Sequence, residues 1–337
     1  MSRTTGSLVA ASSLVIAGFV PLAAQESGAW KDPSPHKISF VPVDNEVRLE
    51  VLDWGGSGRP LVLLAGLGST AHVFDDFATK LTPDYHVLGI TRRGYGASTI
   101  AVSGYDANRL GDDVLAVLDS LNLRGPVLVG HSIAGEELSS VASRHPDRVA
   151  GLVYLDAAQQ YAFDNGKGAT MAELREGAQR LPPEPSRTSS DLASYGALAD
   201  WVMRTRGVRL PEAEIRQEFP ADSNGRPGKL RTPEAIPRMV ENGMAKFSEI
   251  NVPVLALCAI PVQVAPYHLN LTDPDLRLAA EAHYAPRNAA KEKQLKSFEE
   301  GIPHSRVVRI ANAHHSLFIT NEAEVLGEMH DFLLKLK

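Results

Sequence analysis

Leu128-Val-Gly130-His131-Ser132-Ile133-Ala134-Gly135 is the stretch on which the reading of this chain turns. The apolar run Pro126-Val-Leu-Val-Gly130 predicts a short strand buried on both faces, and the segment from Ile133 to Arg144 predicts a helix following at once. Between them stands Gly-x-Ser-x-Ala, the pattern of a nucleophile elbow. The turn there is strained, so small residues beside the serine let strand and helix approach while the hydroxyl projects at the top of a sheet. The start of the helix also brings backbone N–H groups and the positive end of its dipole close to any negative charge that develops. The pattern departs from its usual form in one place: the second glycine is Ala134, with Gly135 one position later. A serine between small residues after a strand also serves simply as a helix N-cap, so the motif needs support from the rest of the chain.

Upstream, Leu61-Val-Leu-Leu-Ala65 is another doubly apolar run, and it ends in Gly66-Leu67-Gly68. There the N–H of Leu67 is placed to join that of Ile133 as an oxyanion hole. Tyr85 to Ile90 predicts the next strand, followed by Thr91-Arg92-Arg93-Gly94-Tyr95-Gly96-Ala97-Ser98, whose glycines permit a tight turn and whose arginines hold loops together. Similar runs recur at Val149–Leu155, Val252–Ala259 and Arg306–Ile310, with helix-like stretches such as Asp106–Leu121 between them. Residues 36–54 alternate apolar and polar positions, as an antiparallel pair does. Strands alternating with helices predict an α/β fold with a mostly parallel central sheet flanked by helices and ligands at the carboxyl ends of the strands. After the last strand, Arg309-Ile-Ala-Asn-Ala-His314-His315-Ser316-Leu317-Phe318 puts two histidines ahead of a closing helix from Glu322 to Leu336.

From about Gln160 to Ile250 the rhythm changes to polar helical segments, the break Leu181-Pro-Pro-Glu-Pro185 and the turn Asn224-Gly-Arg-Pro-Gly228. This predicts a helical insertion, 160–250, that emerges at the carboxyl edge of the sheet and covers the site, within a core formed by 25–159 and 251–337. Tyr161, Phe163, Tyr195, Trp201, Met203, Phe219 and Met239 either wall an apolar pocket or pack as the insertion's own core.

From about residue 36 to the C-terminus the chain resembles the α/β-hydrolase family, with the insertion in the place of the family's cap. The resemblance implies that Ser132 is a nucleophile and that the loop after the last strand carries the base, followed three residues later by an apolar anchor. That spacing selects His315 with Phe318, and His314 is second choice. Family members usually carry the acid just after the penultimate strand, but here Cys258-Ala-Ile-Pro261-Val-Gln263 puts a glutamine where a carboxylate is expected. The resemblance points first to Asp156, at the end of the strand after the elbow helix, where some lipases and lactone hydrolases of this fold carry theirs and where a rigid, buried support lies close to the serine; Asp273 and Asp275, in the long loop after Pro266, are the alternatives. Glu136 and Glu137 complement the helix dipole or bond the cap, and His131, His145, His268, His283, His304 and His330 receive no catalytic role. The implied reaction is acyl transfer from a small ester or lactone through a serine acyl-enzyme, with no cofactor. No His-Glu-x-x-His or paired-cysteine spacing implies a metal. Rival readings are a ligand-binding sensor with little turnover, an acyltransferase and a peptidase; Ser132 argues against dehalogenation by an Asp nucleophile.

A net charge of -6 provides no basic stripe, which sets nucleic acid aside as a partner. Met1-Ser2-Arg3, an apolar stretch from Leu8 to Val20 and Pro21-Leu22-Ala23-Ala24 follow the order of a signal peptide cleaved near Ala24. The apolar stretch is shorter than the roughly 20 residues a membrane span needs, so export without a stable anchor is expected. The single cysteine, Cys258, lies in an apolar run and is expected to be a small buried hydrophobe.

Overall fold

The computed structural model describes Met1, residues 30–176 and residues 181–336. Apart from Met1, the expected signal segment 1–24 lies outside the described residues. The chain forms two compact units, residues 1–33 and 34–337. In the first, the described residues 30–33 form neither helix nor strand. All that follows concerns the second.

Its eight strands are β1 (Lys37–Pro42), β2 (Arg48–Gly55), β3 (Pro60–Leu64), β4 (His86–Ile90), β5 (Val127–His131), β6 (Gly151–Leu155), β7 (Val254–Ala259) and β8 (Ser305–Ile310). They form one sheet in the order β1-β2-β4-β3-β5-β6-β7-β8. β1 and β2 pair antiparallel, as the alternation over 36–54 predicts, and β2 runs antiparallel to β4. β3 to β8 are parallel throughout. Every residue of β5, β6 and β7 is buried, the physical reason these strands read as continuous apolar runs. Successive side chains still point to opposite faces: Val127 and Val129 enter the core layer that holds Phe74, Phe318 and Met329, while Leu128 enters the layer with Val114, Leu138 and Tyr154.

The flanking helices follow in chain order. α1 (Asp75–Thr79) and α2 (Ala107–Ser120) precede β5, and α2 is capped by Asp106, whose side chain accepts from the Arg109 N–H. α3 (Ala134–Arg144) starts directly behind the elbow. Between β6 and β7 come α4 (Met171–Leu174), α5 (Tyr195–Arg206), α6 (Glu212–Glu218) and α7 (Ala235–Asn242), with a lone β-bridge from Ala221 to Pro227. α5 and α6 close on their own cluster, which includes Tyr195, Trp201, Phe219, Leu198 and Ile215. Phe163 and Tyr161 instead join the main core, Met239 packs against it, and Met203 is exposed. α6 is pinned to the loop after β3 by the buried side chain of Glu214, which accepts from both the N–H and the hydroxyl of Thr70.

After β7 the structure departs from the expected long loop. α8 (Pro266–Leu269) is followed by α9 (Pro274–Gly301), a helix of 28 residues; α10 (Leu317–Thr320) and α11 (Glu322–Leu333) close the chain. α9 has no apolar stripe to betray it. Pro286 lies inside it, and its buried side includes His283, Lys291, Gln294 and Ser297 beside Leu295 and Phe298. Asp273 is the N-cap of this helix, accepting from the N–H groups of Asp275 and Leu276, and both aspartates are exposed. Neither is the partner of a histidine.

Candidate active site

β5 delivers the serine. Ser132 stands one residue beyond the strand with φ of +54°, a left-handed conformation that costs a non-glycine residue energy and is held here by its surroundings. Its N–H donates to the Leu155 carbonyl at 3.1 Å, stitching the turn to β6. Close packing explains the small residues around it. A Cβ on Gly130 would stand 2.6 Å from Leu138 Cδ1, and one on Gly66 would stand 3.2 Å from Ser132 Cβ. The departure from the usual elbow has the same cause: a Cβ on Gly135 would fall 2.4 Å from the Ala157 carbonyl oxygen, so the tight approach occurs at 135, and Ala134 is accommodated.

Three segments distant in sequence meet at this turn. His315 Nε2 lies 2.9 Å from Ser132 Oγ, and its Nδ1 lies 2.7 Å from Asp156 Oδ2. With Asp156 ionised, Nδ1–H donates to the carboxylate and Nε2 is left to accept from the hydroxyl. Asp156 projects from the residue after β6, also with positive φ, +47°. Its Oδ1 accepts from the Ala259 N–H at 3.0 Å and from Lys291 Nζ at 2.6 Å, and Lys291 donates as well to the Ala259 carbonyl at 2.6 Å. Burial alone would raise the Asp156 pKa, but Lys291 and His315 outweigh it and hold the carboxyl well below its usual range.

The ring of His315 is half exposed at the mouth of a cleft, and the rest of its loop is clamped. Phe318 is fully buried against Phe74 and Phe77, as an anchor three residues on should be. His131 Nε2 lies 3.1 Å from the His315 carbonyl oxygen. Burial, reinforced by His315, pushes the His131 pKa down to about 3, so His131 is neutral and donates this bond. His314 Nδ1 instead accepts the Ser316 N–H at 2.9 Å, while the residue lines the same cleft as His315.

Arg92 braces the loop after β3. It donates to the carbonyl oxygens of Ala65 at 2.8 Å and Gly66 at 3.3 Å and pairs with Glu137 at 2.5 and 3.1 Å, the loop-holding role expected of the arginines. Glu137 is thus the counter-ion of Arg92, in place of the expected dipole or cap partner. Glu136 beside it is fully buried with neither oxygen hydrogen-bonded among the described residues, and burial followed by the Glu137 charge pushes it up to about 8. Among the described residues, the N–H groups of Leu67 and Ile133 donate to no acceptor.

A cleft of about 570 Å³ opens over Ser132 and His315. Its lining includes Gly66, Leu67 and Tyr95, the apolar residues Phe219, Val208 and Leu210, and the charged residues Arg187, Arg206, Glu184 and Glu218, with the Arg187 guanidinium 4.7 Å from the Phe219 ring centroid. Of the aromatic and methionine residues considered as pocket wall, Phe219 faces this space. Tyr161 is buried close to Ser132, and burial raises its pKa. His131 bonds the His315 carbonyl, Lys291 bonds Asp156 and Tyr161 is buried close to Ser132, and no local motif marked them.

Elsewhere, the ligating atoms of His36, His72 and Asp75 come within 4.8 Å of one another. This cluster is a poor fit for a cation. Asp75 Oδ1 already accepts from Ser34, His36 and Trp54, and although burial opposes it, Asp75 and Glu50 raise the His72 pKa to about 10, so the ring is an imidazolium.

The profile of the Alpha/beta hydrolase family matches residues 61–328. Among known proteins, the chain is 28% identical over 146 residues to a 2-(acetamidomethylene)succinate hydrolase of Mesorhizobium japonicum, covering 43% of this chain and 52% of that protein. It is 32% identical over 123 residues to a bifunctional esterase/perhydrolase of Acinetobacter calcoaceticus, covering 36% and 45%. The chain thus spans about half the length of these relatives. A crystal structure of E-2-(acetamidomethylene)succinate hydrolase superposes with a TM-score of 0.63 at 18% identity, covering 88% of this chain and 99% of that one, a likeness of fold. With the sheet order, the elbow and a match across most of its length, the chain belongs to the alpha/beta hydrolase family.

Proposed function

We propose that this protein is a serine hydrolase that cleaves an ester or lactone of a small, partly apolar substrate through an acyl-enzyme on Ser132. The observation that carries the reading is the unbroken hydrogen-bonded series Ser132 Oγ, His315, Asp156 at the base of an open cleft. His315 takes the Ser132 proton as the oxygen attacks the carbonyl carbon, and Asp156 holds the ring in the working tautomer and stabilises the imidazolium. The N–H groups of Leu67 and Ile133 receive the oxyanion; each such donor is worth about 3 kcal/mol of transition-state stabilisation. His315 then returns the proton to the leaving alkoxide, and a water activated by the same ring hydrolyses the acyl-enzyme. The apolar lining residues Phe219, Val208 and Leu210 suit an alkyl or aryl group, and Arg187 and Arg206 suit a polar substituent. Beyond the substrate and that water, these steps call for no cofactor. The protein acts outside the cytoplasm, after cleavage near Ala24, and N-terminal sequencing of exported protein tests that point.

A fluorophosphonate probe tests the chemistry. It should label Ser132 in the wild type and fail in Ser132→Ala, because an activated hydroxyl beside an oxyanion hole reacts where an N-cap serine does not. A panel of aryl and alkyl esters and lactones of graded chain length then defines the substrate. Labelling that persists in Ser132→Ala, or ligand binding with no turnover of any ester, would overturn the reading.

A further inference from the structure

The sequence around Asp156 accounts for only part of how that carboxylate is held. Its remaining support comes from α9, about 135 residues further along the chain, where Lys291 is 4% exposed and Asp156 3%. Removing a lysine ammonium from water costs several kcal/mol, and a methionine would fill a similar volume in a core without that cost. The ammonium is therefore a group whose charge and direction need a reason, and its bonds supply one.

We propose that Lys291 is a positioning residue for the Ser132–His315–Asp156 series, acting through Asp156. The proposal rests on the serine-hydrolase reading above. Asp156 has one oxygen for His315 and one for its supports. Oδ2 meets His315 Nδ1 at 2.7 Å, while Oδ1 is held from two directions, by Lys291 Nζ at 2.6 Å and the Ala259 N–H at 3.0 Å. Two donors on Oδ1 stop rotation of the carboxylate about its Cβ–Cγ bond, so Oδ2 stays aimed at the imidazole. The Ala259 carbonyl takes a second ammonium proton at 2.6 Å, and it belongs to the same residue whose N–H bonds Oδ1, so the lysine and the end of β7 form one cradle. The lysine is itself fixed. One turn on, Gln294 donates to the Phe163 carbonyl at 2.9 Å, and Leu295 and Phe298 sit in the main core. α9 thus ties the beginning of the insertion, through Phe163, to the acid.

The charge has a second consequence. A buried carboxylate paired only with a histidine draws a proton onto that ring and leaves it an imidazolium that can no longer act as a base. Lys291 opposes this, since the imidazolium would form facing both the Asp156 anion and the Lys291 cation. The other groups facing the pair do not take over this role. His131 is neutral, Cys258 is pushed up to about 12 by burial, and burial raises the Tyr161 phenol. His314, on the same loop, is lowered by burial and by His315, and Arg206 stands beyond it.

The experiment measures the second-order rate of fluorophosphonate labelling of Ser132 from pH 5 to 9, which reports the free base without a known substrate. In Lys291→Met the acid limb of that profile should move up by about one pH unit or more, leaving labelling at pH 6 about tenfold further below its plateau than in wild type. Lys291→Arg, which keeps the charge, should restore the position of the limb. Asp156→Asn combined with Lys291→Met should label no more slowly than Asp156→Asn alone, because a residue that acts through Asp156 has nothing left to position. That comparison also serves if Lys291→Met alone does not fold, since the double variant replaces the ion pair with a neutral one. A limb at the wild-type position in Lys291→Met, or losses that multiply in the double variant, would overturn the role of Lys291 while leaving the serine assignment standing. A wild type that is not labelled at Ser132 would remove both.

Discussion

His131 donates from Nε2 to the backbone carbonyl of His315 at 3.1 Å, so the residue just before Ser132 holds the residue that bonds Ser132. The two rings also meet at a centroid distance of 4.7 Å, tilted by 46°, and His131 meets Phe318 at 5.1 Å. The loop after β8 is thereby referenced to the elbow itself. His131→Phe preserves the packing and removes the donor. It should leave stability within about 1 kcal/mol of wild type and lower kcat/KM on the order of tenfold, the cost of one lost positioning bond. Ester turnover and thermal melting of the same samples check both halves.

The two histidines of the loop are arranged for different work, because His315 Nε2 reaches Ser132 while His314 Nδ1 is occupied by the Ser316 N–H. His315→Gln should lose activity by about 10⁴ or more, as removal of a triad base does, and His314→Gln should lose far less. Equal losses in a steady-state assay would leave the base unassigned.

Asp156→Asn should fold and lose about 10⁴ in kcat. Asp273→Ala should keep full activity and lose about 1 kcal/mol of stability, since it removes an N-cap. Asp275→Asn, exposed in the first turn, should change neither. Turnover and urea unfolding of the three variants together separate an acid from a cap.

Gly135→Ala forces a Cβ to 2.4 Å from a backbone oxygen that a rotamer change cannot move. A destabilisation of about 2 kcal/mol or more is expected. Ala134→Gly should cost less, about 1 kcal/mol of helix propensity. The reverse order of melting temperatures would place the tight contact at 134 and contradict the packing.

Glu136 supplies a pH dependence. Its folded pKa, about 8, lies above the ordinary 4.5, so between these values the folded state holds more protons than the unfolded one and stability falls as pH rises. The contribution is fully present below pH 4.5 and lost once pH passes 8. Glu136→Gln cannot ionise and should be more stable than wild type at pH 9 by at least about 1 kcal/mol, with the difference vanishing near pH 4. Urea midpoints at the two pH values check the sign.

The parallel strands, the elbow at Ser132, the Gly66–Leu67 loop and the His315–Phe318 spacing were all legible in the sequence. The reason is local: a strand buried on both faces must be a continuous apolar run, and a serine at a crowded turn must have small neighbours. Tertiary structure decided which carboxylate meets His315, because Asp156 and His315 stand 159 residues apart and a carboxylate's neighbours across that distance leave no periodic trace. It likewise turned the supposed loop after Pro266 into α9, whose buried face carries Lys291, Gln294 and His283 where an apolar stripe would have announced a helix. It gave Phe219 a place on the cleft as well as in the cluster it shares with Trp201 and Tyr195, although all three have the same apolar character in the chain. Burial of a polar side chain is fixed by the partners that satisfy it, and those partners come together only when the sheet and its insertion close.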